Sequence, residues 1–175
     1  FSGKFQSVGF DPRAFLPCYG LAEATLFVAG SPAMRGARVI EADLQQLAKG
    51  EVNPAEPATS ADTATLVSSG VIAAGAEVRI VDPNTHVACH DGKVGEIWVS
   101  GPSVAQGYWQ RSDETKRTFH AYLQDTGEGP FLRTGDLGFL QGGELFITGR
   151  LKDLIIIRGL NHYPQDIEHT VSKSH

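Results

Sequence analysis

Two short polar stretches in the last third of the chain combine residue types that can hold a phosphorylated sugar. Asp136 follows Thr134 and Gly135 in a turn-like stretch, and Arg150 follows Gly149 beyond an apolar segment. An ionised carboxylate only accepts hydrogen bonds, so Asp136 can accept one from each hydroxyl of a sugar diol. Arginine presents a planar fork of donors that suits a phosphate. These residues therefore predict a nucleotide site, and an ATP-using enzyme is the leading hypothesis.

The composition is that of an ordinary globular protein. The chain has 175 residues, of which 41% are hydrophobic and 20% charged, enough for one full core or two small ones. A net charge of −5 without a basic run argues against a nucleic-acid partner. No apolar stretch is long enough to span a membrane, and no signal-peptide pattern opens the sequence. Cys18, Cys89 and the six histidines lack metal-ligand spacing. We therefore expect two free thiols, a reducing cytoplasmic setting and no histidine metal site.

A β-rich unit is predicted over residues 76–148, where apolar and polar residues alternate between turn residues. Residues 78–81 run into a turn at 82–85, and residues 95–101 alternate between two glycines. Repeated short strands with such turns indicate a small antiparallel sheet or barrel. Within this unit, residues 139–147 predict a hairpin, and residues 113–122 predict a helix with Asp113 as its N-cap.

The regions on either side of this unit have other patterns. Residues 30–67 predict a strand at 38–40, a short helix at 41–47 and an exposed connection around Pro54 and Pro57. After a linker at 149–153, the apolar run 154–159 predicts a strand buried on both faces, and Pro164 opens a helix. Both ends suggest a piece of a longer chain. We expect a mixed α+β and α/β fold, with one domain over 1–150 and the truncated start of another over 151–175.

Four motifs occur in a fixed order along the chain. They are YGLAE at 19–23, GEIWVSG at 95–101 with GYW at 107–109, RTGDL at 133–137 and GRLKD at 149–153. Together they resemble the core motifs of the adenylate-forming superfamily, which includes acyl-CoA synthetases, peptide-synthetase adenylation domains and luciferases. The longer stretches at 19–27 and 149–168 resemble the fatty acyl-AMP ligase branch. The resemblance implies the distal part of the N-terminal domain, with a small β-barrel-like subdomain, followed by the start of the C-terminal domain.

The first motif supplies three candidate binding residues, Tyr19, Gly20 and Glu23. By resemblance, Tyr19 beside Gly20 stacks on adenine, an interaction worth about 1–3 kcal/mol per base. A buried tyrosine with a satisfied hydroxyl is the alternative. Glu23, by the same resemblance, is the metal ligand for Mg²⁺, which takes one or two carboxylates beside substrate phosphates. The alternative for Glu23 is compensation of positive charge at a helix N-terminus.

The later motifs supply the other candidates. By resemblance, Asp136 accepts the ribose hydroxyls, and Arg150 acts catalytically in the ribose–phosphate region, where it offsets developing negative charge. Their alternatives are a turn-capping aspartate and a solvated linker arginine. Lys152 corresponds to the hinge between the two domains. Glu96 and Trp98 are assigned a structural role, since strand alternation explains them.

The implied reaction is attack of a fatty-acid carboxylate on the α-phosphate of ATP, with Mg²⁺ bound. The acyl-adenylate then passes its acyl group to an acyl carrier protein, or to a carrier domain of a polyketide or peptide synthase. The connection between Glu23 and Ser68 is longer than in typical acyl-CoA synthetases. The resemblance implies that part of residues 30–67 is a branch-specific segment that hinders the domain rotation used to form CoA thioesters.

Two catalytic parts of the superfamily do not occur in this sequence. It contains no Ser/Thr/Gly-rich phosphate loop ending in Lys-Gly and no late catalytic lysine, since Lys173 comes too early. The fragment alone is therefore expected not to catalyse adenylation. The alternatives within the superfamily are an acyl-CoA synthetase or a peptide-synthetase adenylation domain. An alternative of another class is a non-catalytic module that docks a carrier protein.

Overall fold

The computed structural model describes residues 1–52 and 63–174. Its strands are β1 Cys18–Tyr19, β2 Ala29–Gly30, β3 Val39–Asp43, β4 Thr63–Ile72, β5 Glu77–Val81, β6 Gly95–Ser100, β7 Leu132–Gln141, β8 Glu144–Arg150, β9 Ile155–Ile157 and β10 Leu160–His162. Its α-helices are α1 Ser2–Phe5, α2 Leu44–Ala48, α3 Ser112–Phe119 and α4 Pro164–Lys173. Single turns of 3₁₀ helix occupy Gln6–Val8, Pro12–Ala14, Ala22–Ala24 and Leu151–Asp153.

Eight strands form one antiparallel sheet that joins the early and late motifs. Its order is β1-β2-β4-β8-β7-β6-β5, with β3 paired to the first half of β4, residues 63–67. The sheet therefore places Tyr19 on β1 and Asp136 on β7 in one structure, although 117 positions separate them. Within the described residues the sheet is open: β1 and β5 lie at its two ends and do not pair. The mixed fold is confirmed, and of the two forms predicted for the β-rich unit, an antiparallel sheet or a barrel, the described residues form the sheet.

Apolar clusters pack on the sheet, two large ones and a smaller one of Val81, Trp98, Leu123 and Phe131. The first includes Ile97, Val99, Leu132 and Leu145, together with Phe119 of α3. This packing explains why a helix lies between β6 and β7, because it buries Phe119 on the sheet. In the second cluster, Leu137 and Phe139 of β7 and Phe146 of β8 pack with residues from both flanking regions. The flanking residues are Ala42, Leu47 and Val52 on one side and Tyr163 on the other.

Residues 31–52 are firmly attached to the sheet. Besides the apolar contacts, Arg35 and Arg38 each lie 3.5 Å from the buried carboxylate of Glu144, which also accepts a 2.6 Å hydrogen bond from Ser68 Oγ. The predicted strand at 38–40 is confirmed and extends to Asp43. The predicted helix at 41–47 begins later, at Leu44, because the Asp43 carboxylate accepts hydrogen bonds from the backbone of Gln45 and Gln46. The connection predicted around Pro54 and Pro57 lies outside the described residues.

Several local predictions are confirmed. The Asp82 carboxylate accepts hydrogen bonds from the amides of Asn84 and Thr85, and these bonds lower the pKa of this carboxyl. β7 and β8 form the predicted hairpin, and α4 begins with Pro164 at its first position.

Three local predictions are wrong. Helix α3 has Arg111 at its N-cap, so Asp113 lies in the first turn, where its charge suits the helix dipole. The strand expected over 154–159 covers only Ile155–Ile157 and is exposed, since among the residues that the structure describes it pairs only with β10. The linker expected at 149–153 is shorter, because β8 continues to Arg150 before the turn Leu151–Asp153.

No helix in the part of the chain that the structure describes is long and apolar enough to cross a bilayer.

Candidate functional site

A bulge in β7 presents Asp136. Opposite β6, the pairing shifts between Trp98↔Arg133 and Glu96↔Leu137, so β7 carries extra residues at 134–136. Gly135 adopts a left-handed φ of 72° there, which glycine adopts without strain. Bulges of this kind occur next to active sites, where they re-aim a side chain. Here the bulge turns Asp136 out of the regular alternation of the strand.

Buried Glu96 holds this bulge in place. Its side chain is 2% exposed and accepts hydrogen bonds from Arg133 Nη2 at 2.8 Å, Trp98 Nε1 at 2.9 Å and the backbone amide of Gly135 at 3.2 Å. Thr134 Oγ1 donates to the carbonyl of Ile97 at 2.7 Å and accepts from the Asp136 amide at 3.1 Å. The turn that carries Asp136 is therefore fixed to β6 by side chains as well as by the sheet.

Asp136 already engages both of its carboxylate oxygens. Tyr19 donates its hydroxyl to Oδ2 at 2.7 Å, and Arg150 Nε donates to Oδ1 at 3.0 Å. Arg150 lies directly opposite Asp136 in the β7–β8 ladder. Each carboxylate oxygen can accept two hydrogen bonds, so a sugar diol can add its two donors to this arrangement. Burial, reinforced by the nearby carboxylate, raises the pKa of Tyr19 well above its usual range, so the phenol keeps its proton.

The loop that carries Glu23 has no space for a side chain at Gly20. A Cβ atom at Gly20 would lie 1.2 Å from the carbonyl oxygen of Leu26. Hydrogen bonds from the amides of Ala24 and Leu26 to the carbonyl of Leu21 close the loop, and Thr25 and Leu26 adopt positive φ. Glycine is therefore required by the close approach of the backbone.

Gly20→Ala should displace the loop at 21–26 and lower the rate of ATP–pyrophosphate exchange by the full-length protein about 100-fold. This estimate follows from the usual cost of misplacing a binding group by about 1 Å. Gly3→Ala is the matched control, because nothing lies within 4 Å of a Cβ atom there. Equal exchange rates for the two variants would show that the loop tolerates the added atom.

A second loop holds Glu23 from the other side. The amide of Ala105 donates to the Glu23 carbonyl at 2.8 Å, and Tyr108 donates its hydroxyl to Glu23 Oε1, also at 2.8 Å. Burial and the hydrogen bond to Glu23 raise the pKa of Tyr108 to about 12, so the phenol is a donor at neutral pH. Oε2 of Glu23 has no hydrogen-bond partner within residues 1–52 and 63–174.

The donor set at Glu23 fits a magnesium ion that is shared with phosphates. In the described ranges, no group of three or more His, Cys, Asp or Glu side chains could hold a metal by itself. Mg²⁺ at nucleotide sites uses one or two carboxylates, and phosphates and water complete its shell. One carboxylate with a free oxygen at the wall of a cavity meets that requirement.

A cavity of about 520 Å³ brings most of the predicted site residues together. Its wall includes Glu23, Asp136, Arg150 and Lys152, and also Tyr108 and Arg133, for which the sequence predicted no role. Tyr19 is described by the structure but is not part of this wall; it reaches the cavity only through Asp136. Its stacking on adenine stays a prediction. The cavity wall thus combines the Asp136 carboxylate, which can accept a sugar diol, with the Arg150 guanidinium and with the Glu23 carboxylate, which has a free oxygen. This combination suits a nucleoside phosphate.

Two sets of contacts at the candidate site were not predicted from the sequence. Strand alternation assigned Glu96 only a structural role in a β-strand, and the structure buries it together with the whole of Gly95 to Val99. The sequence pattern that could have indicated buried hydrogen bonds is a glutamate two positions before a tryptophan on an apolar strand, since both side chains then lie on the same face. The contact between Tyr108 and Glu23 joins positions 85 residues apart and leaves no local pattern.

Comparison with known proteins identifies a family and several relatives of this chain. The family model described as AMP-binding enzyme matches residues 3–109. The chain is 53% identical to a medium-chain fatty acid–acyl-carrier-protein ligase, JamA, of Moorena producens, with 100% of this chain and 30% of the relative covered. It is 46% identical to a putative fatty-acid–CoA ligase, fadD21, of Mycobacterium leprae, with 99% and 30% covered.

A solved structure extends the comparison to a bound state. The fatty acyl-adenylate ligase from L. pneumophila, in complex with acyl adenylate and pyrophosphate, superimposes with a TM-score of 0.79 at 46% identity, covering 97% of this chain and 29% of that one. The chain belongs to the AMP-binding enzyme family. It spans about 30% of the length of the relatives that it matches.

Proposed function

We propose that this chain supplies the nucleotide-binding wall of a fatty acyl-AMP ligase, which uses ATP to convert a fatty acid into an acyl-adenylate. The observation that carries the proposal is the convergence of Asp136, Arg150 and Glu23 on one cavity. In the reaction, a carboxylate oxygen of the fatty acid bonds to the α-phosphorus, and the bond from that phosphorus to the bridging oxygen breaks. Pyrophosphate leaves with the electron pair.

In this proposal the chain's residues position the nucleotide and offset its charge. Asp136 accepts the ribose hydroxyls while Tyr19 and Arg150 fix its two oxygens. The Arg150 side chain is 60% exposed, so its guanidinium nitrogens can reach the phosphate as well as Asp136. Such preorganised charge is effective because it needs no rearrangement when negative charge develops. Glu23 would hold Mg²⁺, which supplies charge neutralisation at the phosphates when it is bound.

The boundary that we propose between the two domains lies at the turn Leu151–Asp153, with Lys152 as the hinge. This turn follows the end of β8 and precedes the separate β9–β10 hairpin. Hinges are commonly a few residues at the ends of elements. We also infer a reducing cytoplasmic setting, which rests on the two free thiols, Cys18 and Cys89.

Residues 31–52 support transfer to a carrier protein rather than to CoA. Leu47 of α2 packs in the same cluster as Tyr163, which lies beyond the hinge. A segment that contacts both sides of a hinge resists rotation about it, since the apolar contacts must first be broken. The acyl acceptor that we propose is an acyl carrier protein, or a carrier domain of a polyketide or peptide synthase. JamA is named as an acyl-carrier-protein ligase.

Acceptor choice tests this proposal. The full-length protein is incubated with ATP, Mg²⁺ and a radiolabelled fatty acid, alone, with CoA, or with an acyl carrier protein. We expect acyl-AMP to accumulate without an acceptor, to persist with CoA and to be consumed with the carrier protein. Prompt formation of acyl-CoA would favour an acyl-CoA synthetase, the activity named for fadD21. Binding to the carrier protein without any nucleotide dependence would favour a docking module.

A further inference from the structure

We propose that Tyr108 is a positioning residue that orients the Glu23 carboxylate so that one of its oxygens is kept for the metal ion. This inference rests on the proposed function, because it takes Glu23 as the metal ligand. Tyr108 lies in the GYW motif, which the proposed reaction otherwise leaves without a role.

The contact with Tyr108 uses only one of the two oxygens of the Glu23 carboxylate. The Tyr108 hydroxyl donates to Oε1 at 2.8 Å, while no described residue reaches Oε2. A carboxylate on a flexible side chain samples several orientations, and a fixed donor on one oxygen selects among them. Partners of this kind commonly change metal affinity or activity by about 10–100-fold when they are removed. The arrangement therefore provides one oriented oxygen for the cation.

The Tyr108 ring is itself held in place. Thr115 Oγ1 accepts a hydrogen bond from the Tyr108 amide at 2.9 Å, and the ring meets Phe119 edge-on at 5.1 Å. Both partners lie on α3, whose Phe119 is buried in the sheet. The backbone and the ring of Tyr108 are thus held by α3 through contacts that do not involve Glu23.

The loop at residues 103–108, which carries Tyr108, also fixes the backbone of Glu23. Ala105 bonds to the Glu23 carbonyl at 2.8 Å, and Thr25 Oγ1 donates to the Ser103 carbonyl at 2.6 Å. Residues 103–108 therefore hold the main chain of Glu23, the side chain of Thr25 two positions later, and the Glu23 carboxylate. Only the last of these contacts depends on the Tyr108 hydroxyl, so removing that one oxygen isolates the orienting effect.

Tyr108→Phe in the full-length protein tests the proposal. The probe is Mn²⁺, whose binding in the presence of ATP is followed by electron paramagnetic resonance, with the melting temperature measured alongside. We expect an apparent Kd for Mn²⁺ about tenfold higher, a melting temperature close to that of the unmodified protein, and an effect on exchange kinetics that excess Mg²⁺ relieves. Tyr122→Phe is the matched control, because Tyr122 is 53% exposed and does not contact Glu23.

Glu23→Gln separates the failure of this proposal from that of the proposed function. If Glu23→Gln weakens Mn²⁺ binding but Tyr108→Phe leaves it unchanged or tighter, the orienting role is overturned while the metal role stands. If Glu23→Gln binds Mn²⁺ normally, the metal role is overturned, and the inference about Tyr108 with it. Weakened binding in both variants, with Tyr122→Phe unchanged, supports the proposal.

Discussion

Replacing Asp136 by alanine is expected to lower kcat/KM for ATP in the full-length protein at least about 100-fold. The variant loses an ionised acceptor for two donors, and each hydrogen bond to a charged group is worth about 1.5–3 kcal/mol. Losing both therefore costs about 3 kcal/mol or more, which corresponds to at least a hundredfold. The measurement is ATP–pyrophosphate exchange over a range of ATP concentrations.

The proposed ribose contact also predicts how strongly the variant distinguishes nucleotides with and without sugar hydroxyls. Because the lost partners are the sugar hydroxyls, the Asp136→Ala variant should discriminate much less between ATP and 2′,3′-dideoxy-ATP than the unmodified protein does. Asp91→Ala serves as a control, since Asp91 is exposed and lies outside the cavity. Near-normal exchange by Asp136→Ala, in a folded protein, would discredit the ribose role.

Replacing Glu96 by alanine is expected to destabilise the protein by about 3 kcal/mol, the lower end of the cost of removing one partner from a buried ion pair, since the Arg133 side chain is 28% exposed. The change leaves the Arg133 guanidinium without its carboxylate and the fully buried Trp98 indole N–H without an acceptor. It also releases the Gly135 amide, so the turn before Asp136 loses its anchor. Denaturant unfolding measures the stability, and nucleotide affinity measures the effect on the site.

A double-mutant cycle separates pairing from simple packing. The loss of unfolding free energy in the double variant Glu96→Ala/Arg133→Ala should be clearly smaller than the sum of the losses in the two single variants. The reason is that Arg133→Ala removes the charge that Glu96→Ala leaves unpaired. Glu77→Ala is the surface comparison: its pair with Arg79 is partly exposed and is expected to be worth less than about 1 kcal/mol. Additive costs at Glu96 and Arg133 would contradict the proposed network.

Local patterns were sufficient to predict the elements that depend on local forces. The hairpin of β7 and β8 follows from alternation on either side of two glycines, and the turn after Asp82 follows from an aspartate that caps its own turn. The motifs likewise indicated Glu23, Asp136 and Arg150 as residues of one site, and the sheet brings them to one cavity.

The contacts that orient these residues depend on how distant loops meet. The bulge at 134–136 depends on Glu96 of the neighbouring strand, and periodicity within β7 carries no trace of it. The burial of Ile155–Ile157 was wrongly predicted, because an apolar run indicates that a surface needs cover but not which element covers it. Side-chain contacts such as that between Tyr19 and Asp136 arise only when the sheet has formed.

Arg150 belongs both to the proposed nucleotide site and to the proposed boundary between domains. It ends β8 and is the N-cap of the turn Leu151–Asp153, while its side chain holds Asp136. A rotation of the backbone at this turn that withdraws Arg150 would also loosen the bound nucleotide. Thermodynamic reciprocity then requires the nucleotide to bias the orientation of the following segment by the same factor. Nucleotide bound at the proposed ribose site would thus change the orientation of the segment after the proposed hinge, and its release would reverse that change.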